Sequence, residues 1–262
     1  MNLDFTRTKY RQLLICLQKA GYNFITFAEY CKGIGPDRFI ILRHDVDLRP
    51  HHSLATAIIE HELGIRSVYY FRAIPESWDI DVISKISGMG HEVGYHYESL
   101  TTCNGNMDAA YEDFKKNLEA LRKLVNVQTI CMHGSPRSPY DSKDIWKTYS
   151  YHNLGIIGEP YFDTDFSQIF YLKDTGRCWD GYKTSVRDRI PTFQEQWTSK
   201  GWVYHGTDDI ISAVEKKKLP KKVMITTHPQ RWNDKFGSWC SELLMQNLKN
   251  IVKRLIVSRS EK

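Results

Sequence analysis

Residues 39–47 read FIILRHDVD. The apolar, β-branched opening suits a buried strand, and Pro50 three residues later forbids a continuing helix. Ending such a strand on Arg43, His44, Asp45 and Asp47 places four titratable groups where a sheet meets its loops. Side chains alternate along a strand, so Asp45 and Asp47 share one face and His44 and Val46 the other. Two carboxylates about 6–7 Å apart on one face can do different work, one binding a metal and one taking a proton. The plainer reading is that they pair with Arg43 and Arg49 and hold the strand end.

Outward from this strand the chain alternates. SLATAIIEHELG is a helix stopped by Gly64, RSVYYFR a strand, DVISKISGMG a helix, HEVGYH a strand, and MDAAYEDFKKNLEALRKLV the longest helix. Tyr111, Phe114, Leu118, Leu121 and Leu124 form its apolar stripe. QTICMHGS, LGIIG, IFYLKD and KVMITTH are further strands, and ELLMQNLKNIVKRLIV is a closing amphipathic helix. Before the strand, Leu13, Leu14, Leu17 and then Phe24, Phe27 predict two short helices separated by Gly21. Repeated strand–helix–strand units imply a parallel sheet. The expected fold is α/β, a distorted (β/α)7 barrel in one domain over 1–262. Residues 1–37 form its helical extension and 134–205 its long mouth loops.

In such a fold the chemistry lies at the carboxyl ends of the strands. Besides Asp47, three strands end on histidine: His96, His133 and His228. An Asp/His/His set suits zinc or another borderline divalent ion with open positions. Glu92, Gly94, His96 and Glu98 share a face, and Gly94 either leaves room at the mouth or serves packing. GMGHEVG precedes a strand instead of following one, so it is no phosphate loop. No GxSxG elbow is present.

The bulk composition narrows the classes. The chain has 262 residues, 41% hydrophobic and 26% charged, as in soluble globular proteins. A net charge of +5 in short scattered runs does not call for nucleic acid. Arg43, Arg49, Arg137 and Arg231 near the mouth suit a phosphate-bearing substrate, although scattered surface arginines explain the charge as well. The six cysteines have no C-x-x-C spacing. No apolar leader and no run of about 20 apolar residues is seen, so the expectation is a cytoplasmic protein with no membrane span.

ILRHDVD (41–47), GHEVGYH (90–96) and ITTHPQRW (225–232), in this order, resemble the polysaccharide deacetylase superfamily (NodB-type, carbohydrate esterase family 4-like). The resemblance covers about residues 38–235 and is nearest to an RHDVD-containing branch linked to O-antigen and capsule synthesis. It implies a divalent metal, zinc first and cobalt, manganese, nickel or iron as alternatives. It also implies hydrolysis of the N-acetyl group of an amino sugar, nucleotide- or lipid-linked. Residue by residue, Asp45 resembles the catalytic base, Asp47 the metal-binding aspartate, His96 the first metal histidine and His228 the histidine that protonates the leaving amine. The family's second metal histidine falls four residues after the first, where this chain has Leu100. His133 is the expected replacement, with Glu98 as the substitute. Residues 171–181, YLKDTGRCWDG, look like a further loop motif of the branch. Asp174, Arg177 and Trp179, with Arg43 and Trp232, are the expected substrate contacts; an Asp–Arg pair holding the loop is the plain alternative. A carbohydrate-binding barrel without turnover, and a sugar deformylase, remain as other readings.

Overall fold

The computed structural model describes residues 3–135, 138–179 and 190–260. Arg137 and the last two residues of the 171–181 motif lie outside them. Phe39–Val46 is the strand its β-branched run predicts, and all eight of its residues are buried. A strand covered on both faces belongs in the middle of a parallel sheet. This strand, β2, pairs in parallel with β1 (Asn23–Ile25) along its first half and with β3 (Val68–Phe71) along its second. On its other edge runs β7 (Lys222–Thr227). β4 (Glu92–Tyr97) joins β3, β5 (Ile130–Met132) joins β4, and β6 (Phe170–Lys173) joins β7. The order is β5-β4-β3-β2-β7-β6, with β1 beside β2. The sheet curls into a half-barrel with helices around it, a single-domain distorted (β/α) barrel.

The helices are α1 (Arg7–Lys19), α2 (Phe27–Cys31), α3 (Pro50–Glu62), α4 (Ile80–Gly88), α5 (Ser99–Thr102), α6 (Met107–Arg122), α7 (Pro160–Asp163), α8 (Pro191–Ser199), α9 (Thr207–Glu215) and α10 (Phe236–Ser260). Their ends follow local chemistry. Thr6 caps α1 by accepting from the Lys9 amide, and Asn106 caps α6 by accepting from Ala109. α6 buries Ala110, Phe114, Leu118 and Leu121, the stripe read from its sequence. Among the described residues no helix is long and apolar enough to cross a membrane.

Two expected elements differ. Phe24 lies in a strand, β1, and only Phe27 begins a helix, after a Thr26–Glu29 capping box. Three residues carry too weak a period to reveal β1; pairing with residues 39–41 makes it a strand. LGIIG (154–158) is not a strand. Gly155, at φ 70°, ends a 3-10 turn, and only Gly158 bridges, to Thr129. Gly94 makes room for protein and not for ligand: a Cβ there would sit 2.4 Å from the Tyr70 ring and 2.7 Å from the Thr129 carbonyl oxygen.

Alternation along β2 sends His44 to the helices and Asp45 to the barrel interior. On the helix side, Glu60 of α3 is fully buried. The hydroxyls of Tyr10 and Tyr69 donate to its Oε1 and that of Ser67 to its Oε2. His44 Nε2 lies 2.9 Å from Oε1, and His44 Nδ1 lies 2.6 Å from Thr227 Oγ1. One carboxylate thus ties α1, α3, β2 and β3 together, and through His44 it reaches β7. Burial opposes its ionisation, but His44 and then His91 bring its pKa down to about 2. On the other side, Glu159 accepts from the amides of Met132 (2.9 Å) and Tyr161 (2.5 Å), fixing the end of β5. Burial raises its pKa to about 7.

These two groups have opposite signs in pH linkage. Glu60, depressed in the fold, contributes stability that is complete above the ordinary carboxylate range and lost as pH falls toward 2. Glu60→Gln should cost about 3 kcal/mol in urea unfolding at neutral pH, because it breaks a buried pair and leaves donors unmatched. An unchanged midpoint would contradict the network. Glu159, raised in the fold, weakens the protein as pH rises from the unfolded value near 4.5 through 7. Between pH 5 and 8 that loss is about 3 kcal/mol at most, and Glu159→Gln should flatten the slope. A slope equal to that of the wild type would contradict this assignment.

Candidate metal centre

The carboxyl ends of β2, β4, β5 and β7 bring four predicted residues together. Asp47 follows β2 in a tight turn, its amide donating to the Asp45 carbonyl (3.1 Å). His96 is within β4; His133 and His228 directly follow β5 and β7. His133 is carried by a ladder bond, its amide donating to the Tyr97 carbonyl (2.8 Å).

Each imidazole is held by its Nδ1. His96 Nδ1 lies 2.9 Å from the Cys131 carbonyl, His133 Nδ1 3.0 Å from Glu98 Oε2, and His228 Nδ1 2.6 Å from Asp174 Oδ1. With Nδ1 engaged, Nε2 is the atom each ring presents. All three Nε2 atoms face Asp47. His133 and His96 approach Oδ1 at 3.5 and 3.7 Å, and His228 approaches Oδ2 at 3.7 Å. Oδ2 also accepts from the Gln230 amide at 3.4 Å, whereas Oδ1 is buried with no hydrogen-bond donor among the described residues. Burial disfavours the Asp47 carboxylate, but His133, His228 and His96 hold its pKa well below the ordinary range. Burial lowers the His96 pKa to about 4, so the ring is neutral and its lone pair is available at neutral pH.

An orphaned carboxylate oxygen facing two oriented imidazole nitrogens is a donor set that a divalent cation fits, and zinc suits its nitrogen and oxygen atoms. A second group, Asp45, His96 and Cys131, has ligand atoms within 4.8 Å of one another. It suits a cation less well. Arg43 already donates to both Asp45 oxygens, Nε to Oδ1 at 2.8 Å and the terminal nitrogen to Oδ2 at 2.6 Å, and both side chains are buried.

Glu98 stands behind His133 and not beside it. Its Oε1 accepts from Arg72 Nε (2.8 Å), and Arg72 also donates to the Asp47 carbonyl (3.3 Å). Burial opposes the Glu98 carboxylate, but His133 and then Arg72 lower its pKa to about 2. Glu98, expected as a substitute ligand, is placed 3.0 Å from His133 Nδ1, where it orients that ring. Arg72 was missed in the sequence, although it directly follows β3. Gln230, two residues after His228, was missed as well.

The five expected substrate contacts are all 8% exposed or less. Arg43 is committed to Asp45. Asp174 takes His228, Arg231 (2.6 Å) and the Trp232 indole N–H (2.9 Å). Trp179 donates to Thr207 (2.9 Å), and Arg177 donates to the Trp239 carbonyl (3.1 Å). Arg43, Asp174 and Trp232 thus brace groups beside the centre, whereas Arg177 and Trp179 bond elsewhere in the interior. Spacing placed them near it but carried no information on depth. A separate cavity of about 560 Å³, lined by Lys9, Cys16, Arg38 and Asp208, holds none of the site residues.

No family model matches the sequence, and no curated protein does. Among solved structures, the chain is similar to PdaA of Bacillus subtilis, a family 4 carbohydrate esterase. The identity is 10% and the TM-score 0.42, over 91% of this chain and 84% of that one. It is similar to BA3943 of Bacillus anthracis, a CE4 family pseudoenzyme, at 11% identity and TM-score 0.41, over 82% and 61%. It is also similar to the Xyl-CE4 domain of a multidomain xylanase from the hindgut metagenome of Trinervitermes trinervoides, at 13% and 0.39, over 82% and 84%.

Glu98→Gln should keep the fold and weaken zinc binding about 10- to 100-fold in competition with a chromophoric chelator. An unchanged affinity would detach Glu98 from the centre.

Proposed function

We propose that the protein is a metal-dependent hydrolase that removes the N-acetyl group of an amino sugar. The sugar would be nucleotide- or lipid-linked, in cytoplasmic synthesis of a surface polysaccharide such as O-antigen or capsule. The observation that carries the reading is the unmatched Asp47 Oδ1 facing His96 and His133, with an Arg43-held carboxylate on one side and an Asp174-held histidine on the other. Asp47, His96 and His133 would hold the ion, which when bound polarises the acyl carbonyl and eases deprotonation of water.

The protein's own groups divide the proton work. Asp45 lies 3.8 Å from His96 Nε2. It accepts the proton of the attacking water as the water oxygen bonds to the acyl carbon. Arg43 fixes the plane of that carboxylate from behind. His228 holds a proton on Nε2. Its Nδ1 is tied to Asp174, which burial disfavours as an anion but Arg231 and His228 keep ionised, with a lowered pKa. Asp174 fixes the His228 ring so that Nε2 faces the centre, where the departing amine would lie. As the C–N bond breaks, His228 gives its proton to the nitrogen, and acetate and the amino sugar leave.

One observation favours a second reading, a carbohydrate-binding barrel without turnover. Leu100, where the resemblance places a second metal histidine, is packed with Ala110 and Ile145. A sugar deformylase would share the same residues and differ in the acid released.

Asp45→Asn should retain the metal and lower acid release from an N-acetylated or N-formylated amino sugar at least about 100-fold. Turnover at the wild-type rate would remove Asp45 as the base. Assaying acetate and formate separately decides the acyl group, and wild-type protein that holds metal yet releases neither would favour the binding barrel.

A further inference from the structure

The sequence of α10 is amphipathic, and its seating on the protein is inverted. A helix on the surface of a globular protein turns its apolar stripe to the core. On α10 the residues that meet the protein are polar or bond through polar atoms. The Trp239 indole donates to the Asp4 carbonyl (2.6 Å), and the Trp239 carbonyl accepts from Arg177 (3.1 Å). Gln246 is buried and donates to Glu242 (3.0 Å), whose side chain is 12% exposed. Asn250 donates to the carbonyl of Gly176 (2.8 Å), in the 3-10 turn Thr175–Arg177. Trp239, Glu242, Gln246 and Asn250 are spaced by three, four and four residues, which is one face of a helix. Leu244, Leu248 and Ile251 repeat at four and three on the opposite face, and they are 66, 64 and 59% exposed. Met245 beside them is 50% exposed.

Of the ten large apolar side chains exposed among the described residues, five belong to α10, Phe236 being the fifth. Scattered singly they would need no explanation, but a row of them on one helix marks a surface that something covers. The charges say what. α10 carries four basic residues, Lys249, Lys253, Arg254 and Arg259, and one acid, Glu242. That acid is turned inward toward Arg49 (3.8 Å), and Lys249 is exposed. A second copy seated on the same face would meet the same cations, with no exposed acid of α10 to answer them. An anionic lipid surface answers both features, taking the apolar row at its acyl boundary and the cations at its headgroups.

We propose that α10 docks this protein on the surface of an anionic bilayer, lying in the interface with Leu244, Met245, Leu248 and Ile251 toward the acyl chains. The helix is bound to the loops that build the centre. Arg49 is two residues past Asp47, and Gly176 is two residues past Asp174, which holds His228. Docking therefore holds the metal centre near the bilayer. Of the two carriers named for the amino sugar, this favours the lipid-linked one, and that choice alone rests on the deacetylase reading.

The test is co-sedimentation of the full chain with vesicles of phosphatidylcholine alone and of phosphatidylcholine mixed with phosphatidylglycerol. Binding to the mixed vesicles should be at least about tenfold tighter and should weaken as salt is raised. Leu244→Gln and Leu248→Gln should each reduce it about tenfold, and Lys249→Gln about fivefold. All three side chains are exposed, so the urea midpoint should stay at the wild-type value, which separates lost docking from lost fold. Wild-type protein left in the supernatant of both vesicles, or leucine variants that bind as the wild type does, would overturn the docking. Equal affinity for the two vesicles would overturn it as well. A dimer in lipid-free light scattering that Leu248→Gln dissociates, with no vesicle binding, would overturn it in favour of a second copy. If the vesicle pattern holds but no acid is released from any amino sugar, the deacetylase reading fails and the docking stands.

Discussion

A carboxylate ringed by imidazoles is stable only if every ring is held from behind, and Asp47 is placed that way. Its neighbours are not aimed at it by their own preferences. His96 is turned by a carbonyl of the adjoining strand, His133 by Glu98 and His228 by Asp174. Freed from these partners, each ring would rotate its better donor elsewhere, and the orphaned oxygen would be left with an uncompensated charge in a low-dielectric place. The centre therefore depends on a surrounding shell of carboxylates and arginines as much as on the residues that face one another.

The two sides of β2 divide the labour. Inward, the strand carries Arg43 and Asp45 and then delivers Asp47. Outward, it carries His44 into a network around Glu60 that ties two helices to the sheet. A one-residue slip of β2 would exchange these faces, placing Asp45 among the helices and His44 at the centre. The Glu60 network thus fixes the register on which the opposite face relies. Thr227 extends this to β7, one residue before His228.

Much of this was legible in the sequence for physical reasons. A β-branched run ending in charges can hardly be anything but a buried strand reaching a site, and three further strands ending on histidine point to one opening. His133 ends a strand that neighbours the one carrying His96, which is why it was expected there, and its Nε2 lies 3.5 Å from Asp47 Oδ1. Depth and partnership were not readable. Trp179 and Trp232 look like sugar platforms in a string of letters, but they are core residues whose indole nitrogens are satisfied within the protein. Glu98 shares a strand face with His96, which suggested a ligand, yet the chain turns into α5 at that residue and carries it behind His133. β1 and the Gly155 turn are too short for any period to register, and pairing with neighbours decides them.

The most direct test of the central claim is diffraction at the zinc absorption edge from a crystal equilibrated with zinc. The account predicts one anomalous peak within bonding distance of Asp47 Oδ1 and the Nε2 atoms of His96 and His133. A peak bounded by Asp45 and Cys131, or no peak among these residues, would contradict it.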